Sequence, residues 1–376
     1  MTAAAWLLTG CQQPPQYHYI EGETMGTSYH ISYEQSDKVS AETIQQTIDQ
    51  RLKQINDSMS TYQDDSIIST FNRLPANTPL KVDADFATVL TLSKQVYKQS
   101  QGAFDPTVMP LVKAWGFGGK MTVDHLQNPP SPEQIAAARA LIDFDGVNLH
   151  GTPPSLTKDK DGVALDFSAI AKGYGVDAIA GVLSQNYHIK NYMVEIGGEV
   201  ATSGVNEQHK PWQIAIDAPL TGSSVSDRKT ISVIRQPMSN PTTGKMHIAT
   251  SGNYRNSVIF NGVRYSHTID PIKGSPVQGG APSVTVAADS VALADAWATA
   301  LTAMPYGQAL KIATEQNLAA MFIVSASVPN TANQQPNNQQ VNADANPDSM
   351  NQPNTDQEWQ IIQTAAMEKF RGIPSP

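Results

Sequence analysis

Between Ser325 and Asp356 the chain changes texture. Asn, Gln, Pro and Asp dominate, as in Asn333-Gln334-Gln335-Pro336-Asn337-Asn338-Gln339-Gln340. So polar a stretch cannot bury enough apolar surface to offset the entropy of ordering it, so we expect 325-356 to be a disordered insertion. Apolar sequence resumes beyond it, from Trp359 to Phe370. The chain must therefore fold as one long piece, 17-324, onto which a C-terminal segment, 357-376, returns and packs. Residues 1-16 stand apart as a signal remnant and tether.

At roughly one domain per 150 residues, a chain of 376 residues allows two domains or one large domain with lobes. Lys plus Arg number 25 against 34 Asp plus Glu, a net charge of -9. A phosphate backbone needs a basic face, so no nucleic acid partner is expected. No apolar run reaches the ~18 residues of a membrane span. The single cysteine excludes an internal disulfide framework and any Cys-rich metal centre. Its position is informative. Leu8-Thr9-Gly10-Cys11 closes the short apolar stretch Ala3 to Leu8 and resembles a bacterial lipobox. There the leader is cut before the cysteine and the thiol takes a lipid. Met1 to Thr9 lacks a basic start and a long apolar core, so the leader is expected to begin upstream.

Tyr17 to Tyr33 alternates around Met25-Gly26-Thr27 and reads as strand, turn, strand. Ala41 to Ile55 and Asp85 to Ser100 carry apolar residues at helical spacing. Ser131 reads as the cap of a helix opening at Pro132. Gly173 to Leu183, Asp289 to Ala303 and Tyr306 to Gln316 are further helices. Strands are expected at Met193 to Ile196, Trp212 to Ile216, Thr230 to Ile234, Ser257 to Phe260, Ser283 to Ala287 and Leu318 to Val324. The fold class is α+β, with a mixed, mainly antiparallel sheet core and helices packed around it.

Five clusters are candidates for chemistry. Gly102-Ala103-Phe104-Asp105-Pro106, followed by Trp115-Gly116-Phe117-Gly118, sets an aromatic beside a turn carboxylate, which can flank a planar ring and accept its N–H. Asp166-Phe167-Ser168-Ala169-Ile170-Ala171-Lys172 runs from a strand into a helix. Free helix N–H groups and a cation there suit a phosphate, although neither the P-loop nor the dinucleotide glycine spacing is present. Thr250-Ser251-Gly252 with Arg255 again suits an anion, and His267-Thr268-Ile269-Asp270-Pro271 holds the histidine with the most suggestive surroundings. Finally, Asp295 and Thr299 stand one turn apart in an alanine-rich helix. A carboxylate and a hydroxyl are hard donors that suit Mg²⁺ more than zinc. The alternative is a helix with one polar stripe at the surface.

Taken together and in this order, these clusters resemble the ApbE family, the FAD:protein FMN transferases. Tyr62-Gln63-Asp64-Asp65-Ser66 and Glu195-Ile196-Gly197-Gly198 add to the match, which runs from Met25 to about Val324. The resemblance implies that Met25, Tyr62, Ala103, Phe104, Asp105, Asp166, Lys172 and Ile269 hold FAD in a cleft between lobes. It also implies that Asp295, Thr299 and the residue at Ala169 bind the metal, Ala169 through its backbone carbonyl alone, and that His267 takes part in catalysis. Ser168 and Ala169 replace a common pair of glycines, Asn253 stands where Asp is common, and Ile272-Lys273 where Arg-Thr is usual.

The implied reaction is Mg²⁺-dependent transfer of FMN from FAD to a Ser or Thr hydroxyl of a target redox flavoprotein subunit, releasing AMP. A Mg²⁺-dependent FAD pyrophosphatase giving FMN and AMP is one rival, and a non-catalytic flavin-binding lipoprotein another. Retention of Asp295 and Thr299 argues against the latter. Family members are bacterial and often periplasmic lipoproteins, so the expected location is the periplasmic face of the cell envelope, lipid-anchored to the membrane through Cys11.

Overall fold

A two-residue turn, Met25-Gly26 with φ of 51° and 74°, folds strand β1 (Tyr17–Thr24) back on β2 (Thr27–Glu34). Positive φ at both positions matches the right-handed twist of the strands. The structure, a computed structural model, describes residues 16–117, 123–219, 229–240, 242–252, 257–260, 263–325 and 359–371. Cys11, Gly118, Arg255 and nearly all of the 325-356 insertion lie outside the described residues.

After β2 come α1 (Ala41–Met59), α2 (Ile67–Arg73), β3 (Leu80–Lys81) and α3 (Ala84–Gln99). Ser40, Ser66 and Asp83 cap these helices through their side chains. A group of short elements follows: α4 (Met109–Ala114), α5 (Val123–Gln127), α6 (Pro132–Arg139), β4 (Val147–His150) and β5 (Ser155–Lys158). Ser131 and Gln134 form the capping box of α6. Next are α7 (Ala171–Gly181), which runs on into a π turn, and β6 (Tyr192–Ile196), β7 (Glu199–Ser203), β8 (Gln213–Asp217) and β9 (Thr230–Arg235). Then come β10 (Met238–Asn240), β11 (Thr243–Gly252), β12 (Ser257–Phe260), β13 (Val263–Asp270), β14 (Ser275–Gln278) and β15 (Ser283–Ala287). The chain ends with α8 (Val291–Thr302), α9 (Tyr306–Glu315), β16 (Ala319–Ser325), β17 (Trp359–Gln363) and a 3-10 turn over Ala365–Phe370.

Among the described residues, nine strands form one sheet in the order β1-β2-β6-β7-β11-β15-β16-β17, with β10 beside β11. Its pairs are all antiparallel. Strand alternation sorts the side chains. Ala320, Phe322 and Val324 of β16 join Val284 and Val286 of β15 on the face covered by α8 and α3. Ala319, Met321 and Ile323 face the other way, against Ile216, Ile234, Met367 and Phe370. The C-terminal segment thus does return: β17 extends the sheet beside β16, and the 3-10 turn covers its far face.

Helix α8 is buried along most of its length, as a helix apolar on nearly every side must be. Asp295 is only 3% exposed, so it does not belong to a surface stripe. Around this centre a polar clamp ties three helices. Arg51 of α1 grips Asp85 of α3 with two N–H donors at 2.5 and 2.7 Å, and the Tyr174 hydroxyl of α7 donates to the same carboxylate at 2.6 Å. Chiefly because of the Arg51 hydrogen bonds, and despite burial, the Asp85 pKa lies below the usual carboxylate value. A depressed folded pKa contributes stability above the unfolded value of about 4, which is lost as pH falls through the folded one. Asp85→Asn should lower unfolding free energy at pH 7 by about 1–2 kcal/mol. The gap to wild type should close toward pH 2. A gap independent of pH in urea titrations at pH 7 and below pH 3 would contradict this.

Candidate active site

Helices α7 and α8 cross close enough to cap one another. The Asp177 carboxylate of α7 accepts from the N–H groups of Val291 and Ala292, both at 2.9 Å, at the start of α8. In return, Asp295 of α8 accepts from the Gly173 N–H in the first turn of α7 at 3.1 Å. Helix N-termini carry unsatisfied N–H groups and a positive dipole end, so a carboxylate at each is stabilised. The approach depends on Gly173, where a Cβ would stand 2.4 Å from the Val291 carbonyl oxygen.

A buried charge cluster lies at this crossing. The Lys172 ammonium is 3.5 Å from Glu199 Oε1 and 3.7 Å from Asp295 Oδ2. Glu199 opens β7 directly after Gly197-Gly198, a turn with φ of 60° and 104°. Its Oε2 is buried without a hydrogen-bond partner among the described residues. Burial pushes both carboxyl pKa values up, with mutual repulsion adding at Glu199, while Lys172 opposes the rise. Burial works to lower the Lys172 pKa, but the two acids outweigh it and hold it above the usual value. Two buried acids sharing one ammonium offer more carboxyl oxygens than that ammonium uses, as a cation site does.

Upstream of Lys172, two loops are built alike and joined. Asp105 Oδ1 accepts from the Thr107 N–H at 2.7 Å and its hydroxyl at 2.6 Å, and Asp166 Oδ1 accepts from the Ser168 N–H at 2.8 Å and its hydroxyl at 2.5 Å. The Asp166 N–H donates to the Pro106 carbonyl at 2.8 Å and joins the loops. Burial raises the Asp105 pKa, and the Thr107 bonds oppose this. A cleft of about 280 Å³ opens between the β1–β2 turn, the end of α1 and the start of α7.

Of the sequence-derived residues, Met25, Tyr62 and Lys172 line this cleft together. Tyr62 is 94% exposed at its mouth. Ala169 lies in the turn before α7, and Thr299 stands one turn after Asp295 in α8. Ala103 and Phe104 are buried in the core that contains α8, and their side chains do not line the cleft. Ile269 packs with Leu111, Phe117 and Ala138 in a separate cluster. His267 lies in β13, and its side chain is outside those described. Trp115, through its indole N–H, donates to the Gly274 carbonyl at 2.9 Å and ties α4 to the β13–β14 turn.

Sequence reasoning missed Glu199 and the capping role of Asp177. Both sat inside or beside segments it had flagged, and nothing in their spacing distinguishes a buried acid from an exposed one.

A model of the ApbE family matches residues 25–322. A Vibrio cholerae protein named FAD:protein FMN transferase is 38% identical over 323 residues, which cover 86% of this chain and 92% of that one. A Haemophilus influenzae protein of the same name is 38% identical over 327 residues, covering 86% and 90%. Two solved structures are similar throughout. The flavin transferase ApbE from Vibrio cholerae has a TM-score of 0.73 at 33% identity, covering 95% of this chain and 100% of that one. The apo form of the Pseudomonas stutzeri flavinyl transferase ApbE has a TM-score of 0.75 at 29% identity, covering 96% and 98%.

The close crossing makes three glycines of α7 unequal. Gly173→Ala should cost about 1–3 kcal/mol, since its Cβ meets backbone that must shift. Gly175→Ala should cost less, because its Cβ at 3.0 and 3.2 Å meets the flexible ends of Met25 and Ile196. Gly181→Ala should be neutral or stabilising by about 0.5–1 kcal/mol, with nothing nearer than 4.0 Å. Thermal unfolding of the three variants checks the order, and equal losses at positions 173 and 181 would refute the packing account.

Proposed function

The chain belongs to the ApbE family, and on that premise we infer that it transfers FMN from FAD to a target protein. The observation on this chain that best supports the reading is the buried pair of acids sharing Lys172 beside an open cleft.

We propose further that the acceptor is a Ser or Thr hydroxyl. Its oxygen bonds to the FMN phosphorus, the P–O bond to AMP breaks, and AMP leaves with the bridging oxygen. The hydroxyl proton must pass to a base, and His267 is our candidate by residue type. Lys172, which lines the cleft at the start of α7, presents positive charge to the pyrophosphate. The paired Asp105 and Asp166 loops orient the flavin by accepting its N–H groups.

Asp295, Thr299 and the Ala169 carbonyl would hold a divalent cation, Mg²⁺. The residues fit it: they offer hard oxygens, and a neighbouring buried carboxylate oxygen lacks a partner. Among the described residues no cluster of three or more His, Cys, Asp or Glu forms a protein-only cage. Mg²⁺ usually keeps several waters and takes substrate phosphates as further ligands. Bound there, the ion would neutralise charge on the phosphoryl group and on departing AMP.

Incubation with FAD, Mg²⁺ and candidate redox proteins, read by in-gel flavin fluorescence, tests transfer directly. Free FMN with no labelled protein would favour a pyrophosphatase. Asp295→Asn should reduce transfer by about 100-fold or more, with FAD binding falling less, and Thr299→Ala should be milder. Wild-type Mg²⁺ dependence in a folded Asp295→Asn protein would overturn the assignment. We also propose that Cys11 carries a lipid and holds the enzyme at the periplasmic face of the membrane. No helix among the described residues is long and apolar enough to cross a membrane. Mass analysis of native protein should show Cys11 acylated, and an unmodified thiol would contradict the anchor.

A further inference from the structure

Glu199 has no part in the ligand set above, yet it is as deeply buried as Asp295 and is paired to the same lysine. An acid placed there only to neutralise Lys172 would be redundant, because Asp295 already does so. Its second oxygen is left with no partner among the described residues, a costly arrangement that needs a reason. The cluster sets two carboxyl groups against one ammonium, so it has room for a further positive charge.

The geometry points to a charge exchange. We propose that Lys172 is the counter-ion of Asp295 until a divalent cation takes its place, and that Glu199 is the positioning residue that then retains the displaced ammonium. The proposal rests on the cation site assigned above. A cation entering beside Asp295 stands within a few ångströms of Lys172, and like charges in a buried site repel strongly. Lys172 has to release Asp295 without leaving the cleft, whose wall it forms. Glu199 Oε1 already faces the ammonium, and the unpartnered Oε2 supplies the acceptor that replaces Asp295 Oδ2. No backbone movement is needed, since a lysine stem turns about four bonds. The turn Gly197-Gly198 lets β7 begin this close: a Cβ on Gly197 would stand 3.3 Å from Lys172 Cδ. Glu199 therefore acts on the cation through Lys172 rather than by touching it.

The affinity of the FAD-loaded full chain for Mn²⁺, with no acceptor protein present and followed by electron paramagnetic resonance of the free ion, reads this without any flavin transfer. Glu199→Gln keeps shape and removes charge, and should weaken Mn²⁺ about tenfold, one decade per ~1.4 kcal/mol. Lys172→Met removes the competitor and should tighten Mn²⁺ binding. In the Lys172→Met background, Glu199→Gln should then cost clearly less than tenfold, because only through-space attraction is left once its intermediary is gone. Thermal melts of each variant establish that it is folded, and a variant that unfolds is replaced by Glu199→Met or Lys172→Leu. Unchanged Mn²⁺ affinity in Glu199→Gln overturns the proposal. So does an equal loss in both backgrounds, which would make Glu199 a direct partner of the ion. Failure of the wild-type chain to bind Mn²⁺ would instead remove the cation site itself, and the proposal with it.

Discussion

Two carboxylates, each seated on the N-terminus of the other's helix, hold the centre of this protein together. Asp177 binds the first N–H groups of α8, and Asp295 binds the Gly173 N–H of α7. The pairing holds α7 against α8, and with them Lys172 against Asp295. It also offsets part of the cost of burying Asp295, because a helix N-terminus supplies both a donor and a favourable field. Gly173 is the steric condition for the arrangement, and the large sheet is the platform against which both helices pack.

The rest of the site is arranged around that crossing. The Met25-Gly26 turn brings β1 and β2 to the cleft, and Asn56 of α1 donates to the Thr24 hydroxyl at 3.1 Å beside it. The Asp105 and Asp166 loops are held locally, since each carboxylate is bonded to the residue two positions on. Their mutual hydrogen bond makes one unit of two distant segments. Tyr62 differs from all of these: it is almost fully exposed, with its ring face open to a planar partner. The cleft thus sets one cation, Lys172, among apolar and hydroxyl-bearing walls, with an exposed aromatic, Tyr62, among its lining.

Much of the fold was legible because strong periodicity leaves little choice. Ile44, Ile48, Leu52 and Ile55 lie on the buried face of α1 as their spacing requires, and Ser131-Pro132 opens α6 as its cap chemistry requires. Helix α2, with seven residues, carries too few apolar positions to set a period. Strands β7 and β11 are not legible from pattern: Glu199 to Ser203 is buried on both faces although it mixes Glu, Thr and Ser with Val and Ala, and Thr243 to Gly252 mixes Lys, His and Gly with its buried Met246 and Ile248. Such residues enter a sheet because neighbouring strands satisfy their backbone, and that is a property of the whole sheet.

The sequence by itself determined which residue types are available, and in what order: a glycine where helices touch, hard oxygens one turn apart, small residues leading into a helix. Those follow from local geometry, which the chain carries with it. Only the tertiary structure decided that Asp295 is buried rather than part of an exposed stripe, and that Glu199 shares its lysine. It alone decided, too, that Phe104 belongs to the core while Tyr62 stands in the open. Burial and charge pairing depend on what the fold brings up from elsewhere in the chain, and Lys172, Glu199 and Asp295 come from three elements that meet only when the sheet and its helices are assembled.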